Sequence, residues 1–295
     1  GTVTYNVLRL LEQEGYIKEG EDNLIHAEKA FFAARVMGWI KNKAATEKDF
    51  DLSPYLKMLT YYKLDLADLK FSEDEDTILY QMKKNDKEVQ DILTVENIKS
   101  YFVAKEYKFF DTPNKELNLN LVGVRRDNLG TNTYDDYLLL MYRKGDEVTC
   151  NRYSITTDPG KYWLENPINP AGTAVLVPDQ YRGTWKLGKH KNRYEALVQR
   201  KPVKVYRDNN RDDVMDYENE VLVTQEGYFG INIHRSNPYG KSYSINKWSA
   251  GCQVFGDIHQ YKEFLSICKE SSEIYGDTFT YTLITEKELR NHLDS

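Results

Sequence analysis

Apolar positions recur with a helical period in the first third of the chain. The spacing predicts helices over 7–14, 24–37, 51–62 and 76–93, with Gly15 placed to end the first of them. An acidic run immediately before the last helix suits a helix N-terminus. Residues 1–105 are therefore predicted to form an all-helical module.

After Lys108 apolar and polar residues alternate instead, a period of two that is typical of strands. Two such runs, 137–142 and 148–155, flank the turn residues 144–146 and predict a hairpin. Shorter strands are predicted over 117–121, 174–177, 196–198, 203–206, 221–224, 228–234 and 278–284. One helix is predicted over 257–270, with Asp257 as its N-cap and with Ile258, Tyr261, Leu265 and Cys268 on its buried face.

Together these patterns predict an α+β protein with two domains. An all-helical module, residues 1–105, precedes a β-rich domain, residues 106–295. The helical module carries no recognisable motif, so we interpret it by elimination as a docking or carrier-attachment unit. Any chemistry is expected in the β-rich domain.

Composition excludes several classes of protein. The 295 residues carry a formal net charge of −6, which argues against a general nucleic-acid binder because phosphate contacts need a clustered basic surface. There is no run of about 18 apolar residues, so no membrane span is predicted. Three cysteines without C-x-x-C spacing indicate neither a disulfide framework nor a zinc site. Gly1 in place of an initiating Met indicates a processed or excised piece, so no export route is visible.

The candidate chemistry lies in a histidine and a cysteine. His234 ends the predicted strand 228–234, and Cys252 follows three small residues, 249–251. A thiolate stabilised by an imidazolium attacks carbonyl carbons, and small residues let backbone amides approach the oxyanion that forms. We expect Cys252 to be a nucleophile of lowered pKa, His234 its base, and the amides of Gly251 and Cys252 the oxyanion hole. The alternative is that Cys252 is a buried small hydrophobic residue.

The segment from Ile231 to Phe255 resembles the catalytic motif of the L,D-transpeptidase family, in which a His and a variable loop precede Ser or Thr, His, Gly and Cys. Eighteen positions separate the His from the Cys, the separation that this family uses. The resemblance implies that the nucleophile is Cys252, the base is His234, the small positions are Ser249 and Gly251, and the imidazole is oriented by the backbone carbonyl of Arg235.

The chain also departs from the family pattern. Ala250 stands where the family has a second His, which puts the usual leaving-group and acceptor contacts in doubt. Gln253 follows the Cys, and Val254 stands where a polar residue is usual. The resemblance covers roughly residues 148–284 and leaves the helical module unaccounted for.

The resemblance implies a sandwich-like domain that acts on stem peptides of bacterial peptidoglycan and needs no cofactor. An acyl-enzyme would form at a diaminopimelate carbonyl, and water or an amine would accept the acyl group. The variant motif favours hydrolysis, by an L,D-carboxypeptidase or endopeptidase that degrades the wall, over crosslinking. Such a protein is expected in the periplasm, outside the cell or on a virion, with the helical module joined to a carrier, phage-tail or contractile injection-system protein. The alternative is a catalytically silent module that binds the wall or has a structural role.

A second candidate surface lies in the segment 180–193, which is dense in basic and aromatic residues. This segment predicts either a surface that grips carboxylates and sugars or a solvated loop. The residues expected to bind substrate, in this segment and beside the His and Cys, are Tyr181, Arg182, Trp185, His190, Tyr239, Trp248 and Gln253.

A calcium site is the weaker interpretation of the segment 206–213. Its residues Asp208, Asn210 and Asp212 alternate as at the start of a calcium loop. The Gly and the bidentate Glu that an EF-hand loop needs are replaced by Asp213 and Asn219, so a polar hairpin turn is favoured. No metal is therefore expected. Of the two other cysteines, Cys268 is predicted to be a core residue, and Cys150 a core or sheet-face residue.

Overall fold

The computed structural model describes residues 87–126, 134–208, 224–242, 245 and 247–295, all within one compact unit. The fold is mixed α and β, and strands predominate. The helices predicted between residues 7 and 62 lie outside the described residues, as does most of the helix predicted over 76–93.

Eleven strands run through the described residues. In chain order they are β1 (Asn120–Arg125), β2 (Asp136–Lys144), β3 (Glu147–Thr156), β4 (Thr173–Leu176), β5 (Gln180–His190), β6 (Tyr194–Gln199), β7 (Val203–Asp208), β8 (Thr224–Gly227), β9 (Ile233–Arg235), β10 (Gln253–Phe255) and β11 (Thr278–Thr285). The helices are α1 (Val95–Ala104), α2 (Lys161–Glu165), α3 (Ile258–Tyr275) and α4 (Glu286–Asp294), and residues 87–92 are also helical.

Eight of the strands close into a barrel, in the order β1-β11-β5-β6-β9-β10-β3-β2. The pairs β1/β11 and β9/β10 are parallel, and the other barrel pairs are antiparallel. The remaining strands form a separate sheet in the order β4-β7-β8. The β-rich character is as predicted, but a closed barrel with a small second sheet stands where a sandwich-like arrangement was expected.

Strands β1 and β2 are covered on both faces, and this explains their nearly continuous apolar sequence. Leu121, Leu138 and Leu140 point into the main core inside the barrel. The alternate residues Val122 and Leu139 point outward into a second apolar cluster. Helices α1 and α4 supply the other side of that cluster.

Helix α1 packs with the barrel, although the sequence placed it in the helical module ending at residue 105. Thr94 caps the helix by accepting a hydrogen bond from the N–H of Asn97. Ile98 and Phe102 are buried in the outer cluster with residues of β1 and β2. The unit that contains the strands therefore begins before residue 106.

Helix α3 begins six residues after the candidate cysteine, beyond β10, and packs on the barrel core. Asp257 caps it as predicted, accepting a hydrogen bond from the N–H of His259. Its buried face includes Tyr261, Phe264 and Cys268, so the prediction that Cys268 is a core residue is confirmed. The helix ends at Tyr275, five residues later than predicted. Within the described residues, no helix has the length and apolar character needed to cross a membrane.

The predicted hairpin over 137–155 is confirmed as β2 and β3, with Gly145 at a φ of 63° in the turn. The segment 180–193, in contrast, is for the most part not a loop, and its basic residues Arg182, Lys186 and Lys189 are exposed. Most of it is strand β5, and the register with β11 shifts between Phe279 and Tyr281, close to Gly183 with its φ of 57°. This irregularity interrupts the alternation by which a strand is recognised in sequence.

Candidate active site

Strands β9 and β10 bring His234 and Cys252 together. The two strands are parallel, with Ile233 opposite Gln253, and the N–H of Gln253 donates to the carbonyl of Asn232 at 2.9 Å. Because residues two apart on a strand share a face, the side chains of Asn232, His234 and Cys252 lie on one face. His234 is buried, with 2% of its surface exposed, whereas Cys252 is partly exposed.

The His234 ring has a defined protonation. Its Nδ1 lies 2.8 Å from the carbonyl oxygen of Arg235, the contact that the family resemblance implies, and 3.0 Å from the hydroxyl of Tyr194. The Tyr194 hydroxyl itself donates to the Arg235 carbonyl at 3.1 Å. Because a carbonyl only accepts, we assign the proton to Nδ1 and the lone pair to Nε2. In the described part of the chain, Nε2 has no hydrogen-bond partner.

Burial lowers the pKa of His234 to about 3. The charges of Lys191 and Arg235, and that of His190 when it is protonated, add to this shift, while the hydrogen bond to the Arg235 carbonyl opposes it. The imidazole is therefore neutral at physiological pH. A neutral imidazole with an open Nε2 is the form that accepts a proton.

A second imidazole, that of His190, stacks on His234. The ring centroids are 3.9 Å apart and the planes differ by 20°. The Nδ1 of His190 accepts a hydrogen bond from the carboxamide of Asn232 at 3.1 Å. Burial, aided by the charges of Lys191, Arg193 and Arg235, lowers the pKa of His190 to about 4. The sequence named His190 as a substrate-binding residue, but at the end of β5 it contacts the candidate base instead.

The thiol of Cys252 is held by backbone groups. Its Sγ accepts from the N–H of Asn232 and donates to the carbonyl of Gly230, each at 3.4 Å. Burial raises its pKa to about 11, although the Asn232 N–H and the charge of Lys191 act in the opposite direction. The sequence led us to expect a lowered pKa from a neighbouring imidazolium. The neutral state of His234 removes that charge, and no hydrogen bond joins the two side chains in the described structure.

The turn before the cysteine requires its small residues. Gly251 has a φ of 118°, and a Cβ there would lie 2.2 Å from the carbonyl oxygen of Ala174, so only glycine fits. The buried Ser249 accepts from the Gly251 N–H at 3.2 Å and donates to the Cys252 carbonyl at 2.8 Å. Ser249 therefore fixes the turn.

These contacts leave one of the two backbone donors that the sequence predicts for the oxyanion hole. The N–H of Gly251 is occupied by Ser249 and is not free to stabilise an oxyanion. The N–H of Cys252 makes no hydrogen bond within the described residues, so it is the donor that remains.

Three residues expected to bind substrate are core residues, and for them the structure corrects the sequence interpretation. Trp185 is fully buried and donates from Nε1 to the carbonyl of Ile231 at 2.8 Å. Tyr181 is buried in the same core, with its hydroxyl on the carbonyl of Val177. The fully buried Gln253 donates to the Gly251 carbonyl and accepts from the hydroxyl of Tyr281. All three stabilise the fold because their polar atoms are already paired.

The other three substrate-binding candidates reach the surface. Tyr239 is 94% exposed and Trp248 is 43% exposed, and Arg182 is exposed above the ring of Phe110. The loop that leads to the cysteine also carries Lys247, whose carbonyl accepts from the indole of Trp163. The exposed aromatic side chains therefore lie on loops, while those of β5 face the core.

Sequence reasoning missed Asn232 and Tyr194. Asn232 links the site, since its N–H contacts the thiol, its carbonyl holds β10, and its carboxamide joins Gln199 and His190. Its position two residues before His234 on a predicted strand is the signal that could have found it. Tyr194 comes from a different strand, β6, and no local pattern marks it.

The described residues contain no group of three His, Cys, Asp or Glu side chains arranged to hold a metal ion. Of the weak calcium candidates, Asp208 is the last residue of β7, and Asn210 and Asp212 lie outside the described residues.

Comparison with known proteins identifies no relative. No family model matches the chain, and neither a curated protein nor a solved structure is significantly similar to it. The resemblance to L,D-transpeptidases therefore rests on the segment from Ile231 to Phe255 and stays a prediction.

Proposed function

We propose that this protein is a cysteine-nucleophile enzyme that transfers acyl groups from stem peptides of bacterial peptidoglycan. The observation that carries the proposal is that the parallel pairing of β9 and β10 places His234 and Cys252, the residue before β10, on one face, with Nδ1 of His234 2.8 Å from the carbonyl oxygen of Arg235. That arrangement leaves a basic nitrogen and a partly exposed thiol in the same site. The substrate class comes from the family resemblance alone.

In the proposed reaction the thiol turns away from the Gly230 carbonyl toward His234. Its proton passes to Nε2 as the sulfur attacks the substrate carbonyl carbon, and the N–H of Cys252 donates to the oxyanion. Collapse of the tetrahedral intermediate forms a thioester and expels an amine, which takes the proton from Nε2. Water or an amine then attacks the thioester, again with His234 as the base, and restores the thiol.

Water is the acceptor that we favour. The methyl group of Ala250 offers no polar contact to an acceptor amine, whereas the resembling family has a His at this position. The product would then be that of an L,D-carboxypeptidase or endopeptidase that degrades the cell wall. A role in the periplasm, outside the cell, or on a phage tail or injection system belongs to the same proposal.

The test is mass spectrometry of muropeptides after incubation with the full chain. Loss of a terminal residue or of a crosslink indicates hydrolysis, and new crosslinked species indicate transfer to an amine. Cys252→Ala is expected to abolish the product, and Cys150→Ala, at a partly buried thiol on β3, is the matched control that keeps it. Unchanged muropeptides with folded wild-type protein would contradict the proposal.

A catalytically silent wall-binding or structural module is the second candidate. The observation that favours it is the resting thiol, which is bonded to a backbone carbonyl and has a pKa raised to about 11. In that case the protein would sediment with purified sacculi without changing their composition, and Cys252→Ala would bind as well as the wild type.

A further inference from the structure

The contacts of His190 form a chain of hydrogen bonds that ends at its ring. The N–H of Gln199 donates to Oδ1 of Asn232 at 3.0 Å, which turns the amide nitrogen of Asn232 toward Nδ1 of His190. Because that nitrogen donates, Nδ1 of His190 accepts, and the His190 proton is on Nε2. The ring can therefore not flip without losing a hydrogen bond in a site where it is buried.

His190 in turn fixes the orientation of His234. The two rings lie face to face at 3.9 Å, so rotation of the His234 ring out of its plane would bring it against the His190 ring. On its edge, Nδ1 of His234 is held by the Arg235 carbonyl and by the Tyr194 hydroxyl. One face and one edge of the base are thus occupied by side chains from β5 and β6 and by the backbone of β9.

We propose that His190 is a positioning residue for His234, which holds the His234 ring in the plane where Nδ1 meets the Arg235 carbonyl and Nε2 keeps its lone pair. The second imidazole of this site then comes from β5, whereas the sequence motif has Ala250 where a second histidine would stand. Only the use of Nε2 as a base rests on the proposed function. The stacking of the two rings and the positions of their protons are independent of it.

The positively charged side chains around His190 and His234 all lower the pKa of these imidazoles. Lys191 and Arg193 lie in the turn after β5, Arg235 follows His234, and each lowers the pKa of one or both imidazoles. The other titratable groups that face the site are Tyr194 on β6, Cys252 before β10, and Tyr261 on α3. No carboxylate contributes to the pKa of either ring in the described structure. Protonation of one ring therefore disfavours protonation of the other.

The experiment is nitrogen NMR of the full chain with ¹⁵N-labelled histidine. The chain has five histidines, and His234→Gln and His190→Phe assign the two signals. In the wild type we expect opposite tautomers, with the proton on Nδ1 of His234 and on Nε2 of His190, and both rings neutral at pH 6. The proposal would be overturned if both rings carried the proton on the same nitrogen, or if both rings titrated near pH 6.5, the ordinary value for histidine.

The variants separate positioning from simple space filling. His190→Phe keeps a flat ring but removes the second ionisable group, so we expect the pKa of His234 to shift upward. His190→Ala also removes the stack, and we expect a larger upward shift with mixed tautomers at His234. His259→Gln, at an exposed position on α3, is the matched control that leaves the His234 titration unchanged. An unchanged His234 pKa in both His190 variants would reduce His190 to a packing residue.

The outcome distinguishes this inference from the proposed function. If the tautomers and shifts are as expected but no muropeptide reacts, the positioning role stands and the catalytic proposal fails. If muropeptides react while His234 titrates identically in wild type and His190 variants, the positioning role fails alone. Where activity is present, the acid limb of its pH profile is expected to move upward in His190→Phe together with the His234 pKa.

Discussion

At the scale of single residues, the candidate nucleophile and base are both neutral. Burial raises the pKa of Cys252 to about 11 and lowers that of His234 to about 3. A thiolate and imidazolium pair is therefore not the resting state, because the loss of hydration on burial outweighs the contacts that stabilise each charged form. Proton transfer must then accompany attack on the substrate, as in general-base catalysis.

This protonation state predicts how Cys252 reacts with iodoacetamide in the free protein. Since only the thiolate reacts, we expect the rate to rise roughly tenfold per pH unit through the neutral range, up to the pKa near 11. The measurement is mass spectrometry of alkylated peptides at a series of pH values. Fast labelling at pH 6 that barely changes by pH 9 would contradict it.

The other cysteines provide the controls for that measurement. Cys268 is fully buried in the core and should label only when the protein unfolds. Cys150 is partly buried on β3, so labelling that persists in Cys252→Ala reports Cys150 alone.

The sequence pointed to the candidate nucleophile and base but not to their surroundings. A histidine at a strand end and a cysteine after small residues can be found along the chain, but that position 251 must be glycine follows only from its φ of 118° and the nearby carbonyl of Ala174. The roles of Asn232, Tyr194 and His190 could not be predicted either, because they depend on which strands become neighbours in the barrel. The protonation of the pair depends on burial, which a motif does not report.

At the scale of elements, helix α3 connects the site to the core. It begins three residues after β10 ends, and its apolar face fills the barrel between β9, β10 and β3.

The cap at Asp257 gives a stability prediction. Asp257→Ala removes the acceptor for the N–H of His259 at 2.8 Å and is expected to lower the free energy of unfolding by about 1 kcal/mol. Urea denaturation followed by circular dichroism measures this change. Glu270→Ala, at an exposed position of the same helix, is the control with little expected effect. Equal stability of wild type and Asp257→Ala would show that the cap contributes nothing.

Elements differ in how well the sequence predicts them. The hairpin of β2 and β3 was recognised because its pairing is local and its turn contains Gly145. Strand β5 was missed because the bulge near Gly183 interrupts its alternation and because basic residues occupy its exposed positions. The strand predicted over 228–234 is reduced to β9, because the N–H groups of Phe229 and Ile231 donate to the side chain of Gln199 and that of Asn232 to the thiol of Cys252, outside a strand ladder.

At the scale of the whole molecule, two groups of buried side chains make stability depend on pH in opposite directions. His190 and His234 have lowered pKa values, so the unfolded chain binds more protons below pH 6.5 and stability falls as pH falls. Asp136 and Asp158 have raised pKa values, chiefly through burial, so the folded chain binds more protons and stability falls as pH rises. Burial also raises the pKa of Asp135, which acts in the same direction as these two carboxyls, so the net slope between pH 4 and 7 is the balance of the histidine and carboxyl effects.

Asp158→Asn should show how much of the carboxyl effect comes from Asp158. The pKa of Asp158 is raised to about 7 by burial and by Asp136, against the attraction of Arg125, so its ionisation costs stability between pH 4 and 7. Asparagine keeps an acceptor for Arg125 but cannot ionise, so we expect stability at pH 7 relative to pH 4 to rise by a few kcal/mol. Urea titrations at both pH values measure this slope. Asp277→Asn, at an exposed carboxylate paired with Lys186, is the control expected to keep the wild-type slope. An unchanged slope in Asp158→Asn would mean that the protonation of Asp158 does not differ between the folded and unfolded chain in this range, and the pH dependence would then come from the histidines and from Asp135 and Asp136.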